Sequence, residues 1–283
     1  MNISSLSLSI FLLSLLISGA STLQLDPKAP LFTYSGTCGP DRWGSLSPVY
    51  SKCSSGKWQS PVNIRKDKVF LNRNLKPLIR DYRPANATLI NNGFNIGIHY
   101  EEYAGVLNVE GKNYTLKQLH WHSPSEHRIN GVQYPLELHL VHKSDDGNLS
   151  VVAVLFQYSV HADPFLSEIK EGMNELYKEV CKGDEEAHIP LGTLDVKQLK
   201  KNTKKYYRYV GSLTTPPCSE SVTWNILAKV RCITKEQVDA LKAPLHSPYK
   251  NNSRPCQPLH ERKIELYNEL YVKNKNKNKN NDN

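Results

Sequence analysis

Three histidines define the chemistry open to this chain. His120 and His122 stand two residues apart in the run 114–122, YTLKQLHWH, and His139 lies in a second run, 136–141, LELHLV. In an extended strand, side chains two apart share a face. Gln118, His120 and His122 therefore point one way, while Leu119 and Trp121 point the other, into apolar packing. His139 shares its face with Glu137. If the two strands pair antiparallel, the third imidazole joins the first two. Three imidazoles with an open fourth position form a catalytic zinc site, not a closed structural one. Copper and cobalt suit the same donors. A histidine pair on a strand is more often hydrogen-bonded to its neighbours than bound to metal. The company argues for metal here: Gln118 and Glu137 lie on the ligand faces as acceptors that can fix imidazole tautomers.

The elements that must hold these residues are mostly strands. Segments 88–100, 106–110, 114–122, 136–142, 151–158, 206–213 and 222–231 have the β-branched and aromatic content of strands. Leu166, Ile169, Met173, Leu176 and Val180 recur at helical spacing and predict a helix over 164–180. Thr234 to Gln237 reads as a capping box before a short helix. There is no regular alternation of strand and helix, so a doubly wound sheet is not expected. No internal repeat and no Gly/Ser-rich linker divides the chain, and its length suits one β-rich domain.

The segments QLHWHSPSEH (118–127), ELHLVH (137–142) and GSLTTPPCSE (211–220) resemble the signature segments of the alpha-class carbonic anhydrases, in the family's order. From about Tyr34 to about Tyr271 the chain is similar to a plant member reaching the secretory route. The resemblance implies a mainly β (α+β) fold: a central, twisted, mostly antiparallel sheet with surface helices, and cis prolines at Ser60-Pro61 and Pro216-Pro217. It implies Zn2+ as cofactor, held by His120, His122 and His139, and reversible hydration of carbon dioxide by attack of zinc-bound hydroxide. Thr214 matches the threonine that accepts a hydrogen bond from that hydroxide, and Glu126 the buried glutamate that takes the threonine's own proton. An ionised carboxylate only accepts, which sets the direction of the relay. Val141, Val152, Leu213, Val222 and Trp224 match an apolar wall for the substrate, though each suits plain core packing. The backbone N–H of Thr214 or Thr215 is placed to polarise a substrate oxygen.

One position departs from the family. Fast members carry a proton-shuttling histidine after Asn-Asn-Gly; here Asn91-Asn92-Gly93 is followed by Phe94, which cannot titrate. Regenerating hydroxide is then expected to be slower and to lean on external buffer. Gly97 and His99 alternate with Ile96, Ile98 and Tyr100, which turns His99 toward the cavity as a substitute shuttle.

The flanks and modifications concern the route through the cell. Residues 1–20 have the apolar run and the Ser18-Gly19-Ala20 cleavage site of a signal peptide, without its charged start. The run Ile10 to Ile17 is too short to span a bilayer. Residues 21–33 form an N-terminal arm, 34–272 the catalytic domain, and 273–283 a polar Lys/Asn tail with the composition of disorder. Of the net charge of +9, the four lysines and one aspartate of that tail contribute +3. A basic tail without interleaved aromatics gives no reason to expect base stacking, so no nucleic-acid partner is expected.

Six cysteines without a C-x-x-C pair read as disulfide-forming rather than zinc-binding. Sequence alone leaves the pairing open; the family resemblance suggests Cys53 with Cys218. Asn86, Asn113, Asn148 and Asn251 begin N-x-S/T glycosylation acceptors. The expected location is extracellular, in the apoplast, with the chloroplast reached through the secretory route as the alternative. A storage or defence protein on the same fold competes with the enzyme. A zincin peptidase does not, because no H-E-x-x-H occurs; weak esterase side activity stays open.

Overall fold

The computed structural model describes residues 32–183, 187–200 and 204–271. The leader 1–20, nearly all of the arm 21–33 and the tail 273–283 lie outside them. Among the described residues, one sheet of 13 strands dominates. Its main path runs His188–Leu194, Ala85–Asn91, Ile96–Tyr100, Lys112–His122, Leu136–Lys143, Leu149–Tyr158, Glu220–Leu227, Lys205–Ser212, Glu265–Asn268, Phe70–Leu71. Most neighbours are antiparallel; Leu149–Tyr158 with Glu220–Leu227 and Glu265–Asn268 with Phe70–Leu71 are parallel. A small sheet joins Asn63–Ile64, Arg128–Ile129 and Val132–Gln133.

The two central strands are buried along nearly their whole length. That is why LSVVAVLF reads as a continuous apolar run, whereas LELHLVH alternates and buries Glu137 and His139 on the site's face. One face is covered by helices: Trp121 stacks on Phe165 of the helix Pro164–Glu168. On the other face Tyr207, Tyr209, Val222 and Trp224 of the sheet itself pack with Val62 and Ile64. Each such side chain, fully buried, contributes about 1.5–3 kcal/mol of transfer free energy. The metal-type cluster lies on this second face.

The expected helix over 164–180 is two helices, Pro164–Glu168 and Lys170–Cys181, broken at Ile169. Asp163 caps the first, accepting from the backbone N–H groups of Phe165 and Leu166. The capping box at Thr234 and Gln237 is present. The expected strand 88–100 is likewise two strands, because Asn92 to Asn95 make the turn of a hairpin closed by an Asn92–Asn95 backbone bond. Both expected cis prolines are cis, and so is Ser123-Pro124. No helix among the described residues is long and apolar enough to cross a membrane.

Candidate metal centre

Lys112–His122 and Leu136–Lys143 pair antiparallel, with His139 directly opposite His120, Glu137 opposite His122 and Val141 opposite Gln118. Directly opposed residues share a face. The three imidazoles therefore meet, and one ring nitrogen from each lies within 4.8 Å of the other two. Nδ1 of His139 and Nε2 of His120 are 3.3 Å apart. Two nitrogens at about 2.0–2.1 Å from a tetrahedral zinc stand about 3.3–3.4 Å apart.

The remaining ring nitrogens are all occupied. Nδ1 of His120 donates to Gln118 Oε1 at 2.8 Å. Nδ1 of His122 donates to the Asn252 carbonyl at 2.6 Å. Nε2 of His139 donates to Glu137 Oε1 at 2.8 Å. With each proton committed outward, the inward nitrogens carry lone pairs. The 3.3 Å approach of His120 and His139 is then two lone pairs facing each other, not a hydrogen bond. Nε2 of His122 is fully buried with no partner. Three convergent lone pairs in a buried site are the donor set of a zinc ion.

Electrostatics keeps these rings neutral. Burial holds His120 well below its ordinary pKa, and His122 and His139 beside it push the same way. Burial takes His122 down to about 4 and also lowers His139. Neutral imidazole is the form that binds metal.

Glu137 is the anchor of the arrangement. Its Oε2 accepts the backbone N–H of Glu126 and of His127, each at 2.8 Å. Its Oε1 accepts from His127 Nδ1 at 2.6 Å as well as from His139. Burial opposes its ionisation, but the adjacent His127 and His139 rings, which both hydrogen-bond its Oε1, outweigh burial and hold its carboxyl well below the usual range. His127, Glu137 and His139 also come close enough to suggest a second metal group. Its ligand atoms are already paired with one another, and His127 Nε2 is bonded to Tyr209 Oη at 2.7 Å, so it is a hydrogen-bonded support.

Glu126 lies behind the triad with 1% of its surface exposed. Oε1 accepts the backbone N–H of Arg254 at 3.0 Å; Oε2 is 3.5 Å from His122 Nε2. Burial pushes the carboxyl up to about 7, while His139 and the Thr214 hydroxyl pull it back. A cation at the triad adds to that pull and favours the carboxylate. Thr214 is buried on the loop after Lys205–Ser212. That loop is held by the backbone bonds Leu213 to Ser219 and Cys218 to Thr215, by Gln59 on the Cys218 carbonyl and by the Cys53–Cys218 disulfide.

Val141, Val222 and Trp224 line the triad's face, with Leu213 packed against them. Trp224 sits 4.8 Å, ring to ring, from His139. Val152 does not belong to this wall. It pairs with Leu140 and so faces away from the histidines, while Val151, opposite Val141, takes its place. The valine doublet offers either phase, and only the pairing register selects one. His99 lies opposite Gln118, on the triad's face. Phe94 is half-buried against Phe32, with ring centroids 5.2 Å apart. Asn86, Asn113, Asn148 and Asn251 are all exposed. Cys38, Cys181, Cys232 and Cys256 are unpaired.

Residues 38–268 match the model of the eukaryotic-type carbonic anhydrases. The chain belongs to that family. It is 42% identical to alpha carbonic anhydrase 7 of Arabidopsis thaliana over 235 residues, which cover 82% of each chain. Among solved structures, a dioscorin complexed with ascorbate superposes with a TM-score of 0.81 at 36% identity, over 85% of this chain and 99% of that one. The alpha carbonic anhydrase of Thermovibrio ammonificans, complexed with sulfanilamide, gives 0.72 at 34% identity, over 83% and 98%. A eukaryotic-type carbonic anhydrase is thus similar both to enzymes and to dioscorins, and its three-histidine group is suited to zinc.

His127, Tyr209, Asn252 and Arg254 escaped the sequence reading. His127 was available as the last residue of QLHWHSPSEH. Asn252 carried no signal, because the group that meets His122 is its backbone carbonyl, delivered from 130 residues away.

Proposed function

We propose that this chain is an active zinc carbonic anhydrase, catalysing reversible hydration of carbon dioxide to bicarbonate and a proton. One observation carries the reading: three ring nitrogens converge with every outward ring N–H already bonded. Zinc at this position supplies a Lewis acid that makes water nucleophilic at neutral pH.

The chain's own residues do the rest. Gln118, Glu137 and the Asn252 carbonyl orient His120, His139 and His122. Thr214 donates its hydroxyl proton toward Glu126, so its oxygen accepts from the attacking water and aims a lone pair at the substrate. Val141, Val151, Leu213, Val222 and Trp224 give a small apolar molecule a dry wall beside the triad. The backbone N–H of Thr214 or Thr215 steadies the charge that develops on a substrate oxygen. Phe94 moves no proton, and His99 is a titratable group on the triad's face.

A secretory route is supported by the Cys53–Cys218 disulfide, which suits an oxidising compartment, and by the exposure of the four acceptor asparagines. The apoplast is the destination that fits, with the chloroplast as alternative. The likeness to dioscorin, together with Phe94, favours a second reading, in which the fold serves storage or defence with little activity. The deciding experiment measures carbon dioxide hydration and metal content on one sample across imidazole concentrations. Zinc near one per chain, with activity rising with imidazole, supports the enzyme; bound zinc without hydration at any concentration refutes it.

A further inference from the structure

Hydration releases one proton per turnover, and that proton must cross from the triad to solvent. The groups nearest the triad are poor carriers. Glu126 and Glu137 are 1% and 0% exposed, Gln118 does not titrate, and Phe94 has no ionisable atom.

The sheet register leaves another way out. Gly97 lies directly opposite His120, and His99, two residues on, lies opposite Gln118 and not opposite any of the three ligands. On its other side His99 faces Thr88, and Gly97 faces Ile90. Ile90 in turn is opposite His188, on the strand that ends the main path of the sheet. His120, His99 and His188 are thus on one face, in order from the centre to the edge. Gly97 puts no side chain beside His120; a Cβ there would come within 3.0 Å of the Leu119 carbonyl and 3.5 Å of both Asn92 Nδ2 and His120 Cβ. Exposure grades the same way: His99 is half-buried and His188 is exposed.

We propose that His99 takes up the proton released at the triad and passes it to His188 at the sheet edge, so that two histidines on the open face replace a carrier at Phe94. The proposal rests on the anhydrase reading above. In each cycle the neutral His99 imidazole gains the proton that water loses, becomes imidazolium, and returns to neutral as His188 or solvent buffer accepts the proton.

The charges around His99 suit a carrier that does not hold its load. Burial keeps its pKa below the ordinary value, and His188 lowers it further. A charge on His99 is felt in turn at His120. Of its two cross-strand neighbours, Gln118 is uncharged, and Thr88 donates its hydroxyl to Glu101 at 3.3 Å. Among the described residues, no carboxylate is hydrogen-bonded to His99 to trap the proton on it.

The test uses the zinc-loaded full chain and the variants His99→Ala and His188→Ala. In a weak buffer, His99→Ala lowers kcat by roughly 10²-fold while kcat/KM, which reports the hydration step, stays put; added imidazole restores kcat. His188→Ala lowers kcat less. A second readout needs no turnover: the C2–H resonance of His99, titrated by NMR in the metal-free protein, shifts to a higher pKa in His188→Ala. Wild-type kcat and imidazole dependence in His99→Ala overturn the relay, as does a His99 titration blind to His188→Ala. A wild-type chain with no measurable kcat/KM instead overturns the anhydrase reading on which the relay depends.

Discussion

Nε2 of His122 and Oε2 of Glu126 lie 3.5 Å apart in the interior, and neither has a hydrogen-bond partner. An unpaired buried polar atom costs about 1–3 kcal/mol. A structure that tolerates two such atoms side by side is completed by something else, and a cation among the three imidazoles takes up the His122 lone pair.

Metal should therefore stabilise the fold. Zinc at about 100-fold over its Kd adds about 2.7 kcal/mol, which raises Tm by roughly 5–10 °C for a chain of this size. Calorimetry with zinc and then with a chelator measures it; identical melting curves would show that the triad holds no metal.

Glu137 makes four hydrogen bonds, two to imidazoles and two to backbone N–H groups. Glu137→Gln replaces an acceptor-only group with one that must donate, so the His139 tautomer is no longer forced. Zinc affinity should fall by about 10- to 100-fold. Competition against a chromophoric chelator reads the change, and unaltered affinity would mean that the strand pairing alone orients His139.

Thr214→Ala separates chemistry from binding. Zinc content should hold, since no ligand or ligand partner is touched, while kcat for hydration falls by about 10²- to 10³-fold. Turnover unchanged within twofold would remove Thr214 and Glu126 from the mechanism.

His142, on the strand of His139 but on its other face, gives a pH dependence of stability. Nε2 meets Tyr82 Oη at 2.8 Å and Nδ1 donates to the Ser150 carbonyl at 3.1 Å. Burial, against the pull of that carbonyl, takes its pKa down to about 3, whereas in the unfolded chain it titrates near 6.5. Between those values the unfolded state binds the extra proton. The contribution of this group to stability is intact above pH 6.5 and is lost as pH falls toward 3, by about 1.4 kcal/mol per unit. Urea titrations at pH 7.5 and pH 5 should show a smaller loss for His142→Leu than for the parent; equal losses would assign the acid sensitivity elsewhere.

The triad and its strand pairing were legible because both depend on a period of two. Histidines two apart beside a Gln or a Glu specify a face, and antiparallel pairing brings the faces together. The same parity misled at Val152, where two valines in a row offer both phases and nothing local decides between Val151 and Val152. The hairpin at Asn92 to Asn95 was hidden by apolar residues on either side. The contacts that finish the site were out of reach. The Asn252 carbonyl, the Arg254 backbone on Glu126, and Tyr209 behind His127 come from segments whose residue types say nothing of where the chain returns.

The return of Asn252 matters beyond geometry. Its carbonyl accepts a hydrogen bond from His122 Nδ1–H, its Oδ1 accepts from the Ser123 backbone, and its amide donates to the Phe94 and Trp121 carbonyls. All three histidines are synthesised by residue 139, yet the last of these acceptors is residue 252. A nascent chain can pair its ligand strands long before it can fix His122. Secure capture of the metal is thereby postponed until Asn252 has been made, well after the three ligands, and a bound ion becomes a report that the segment carrying Asn252 has returned to the ligand strands.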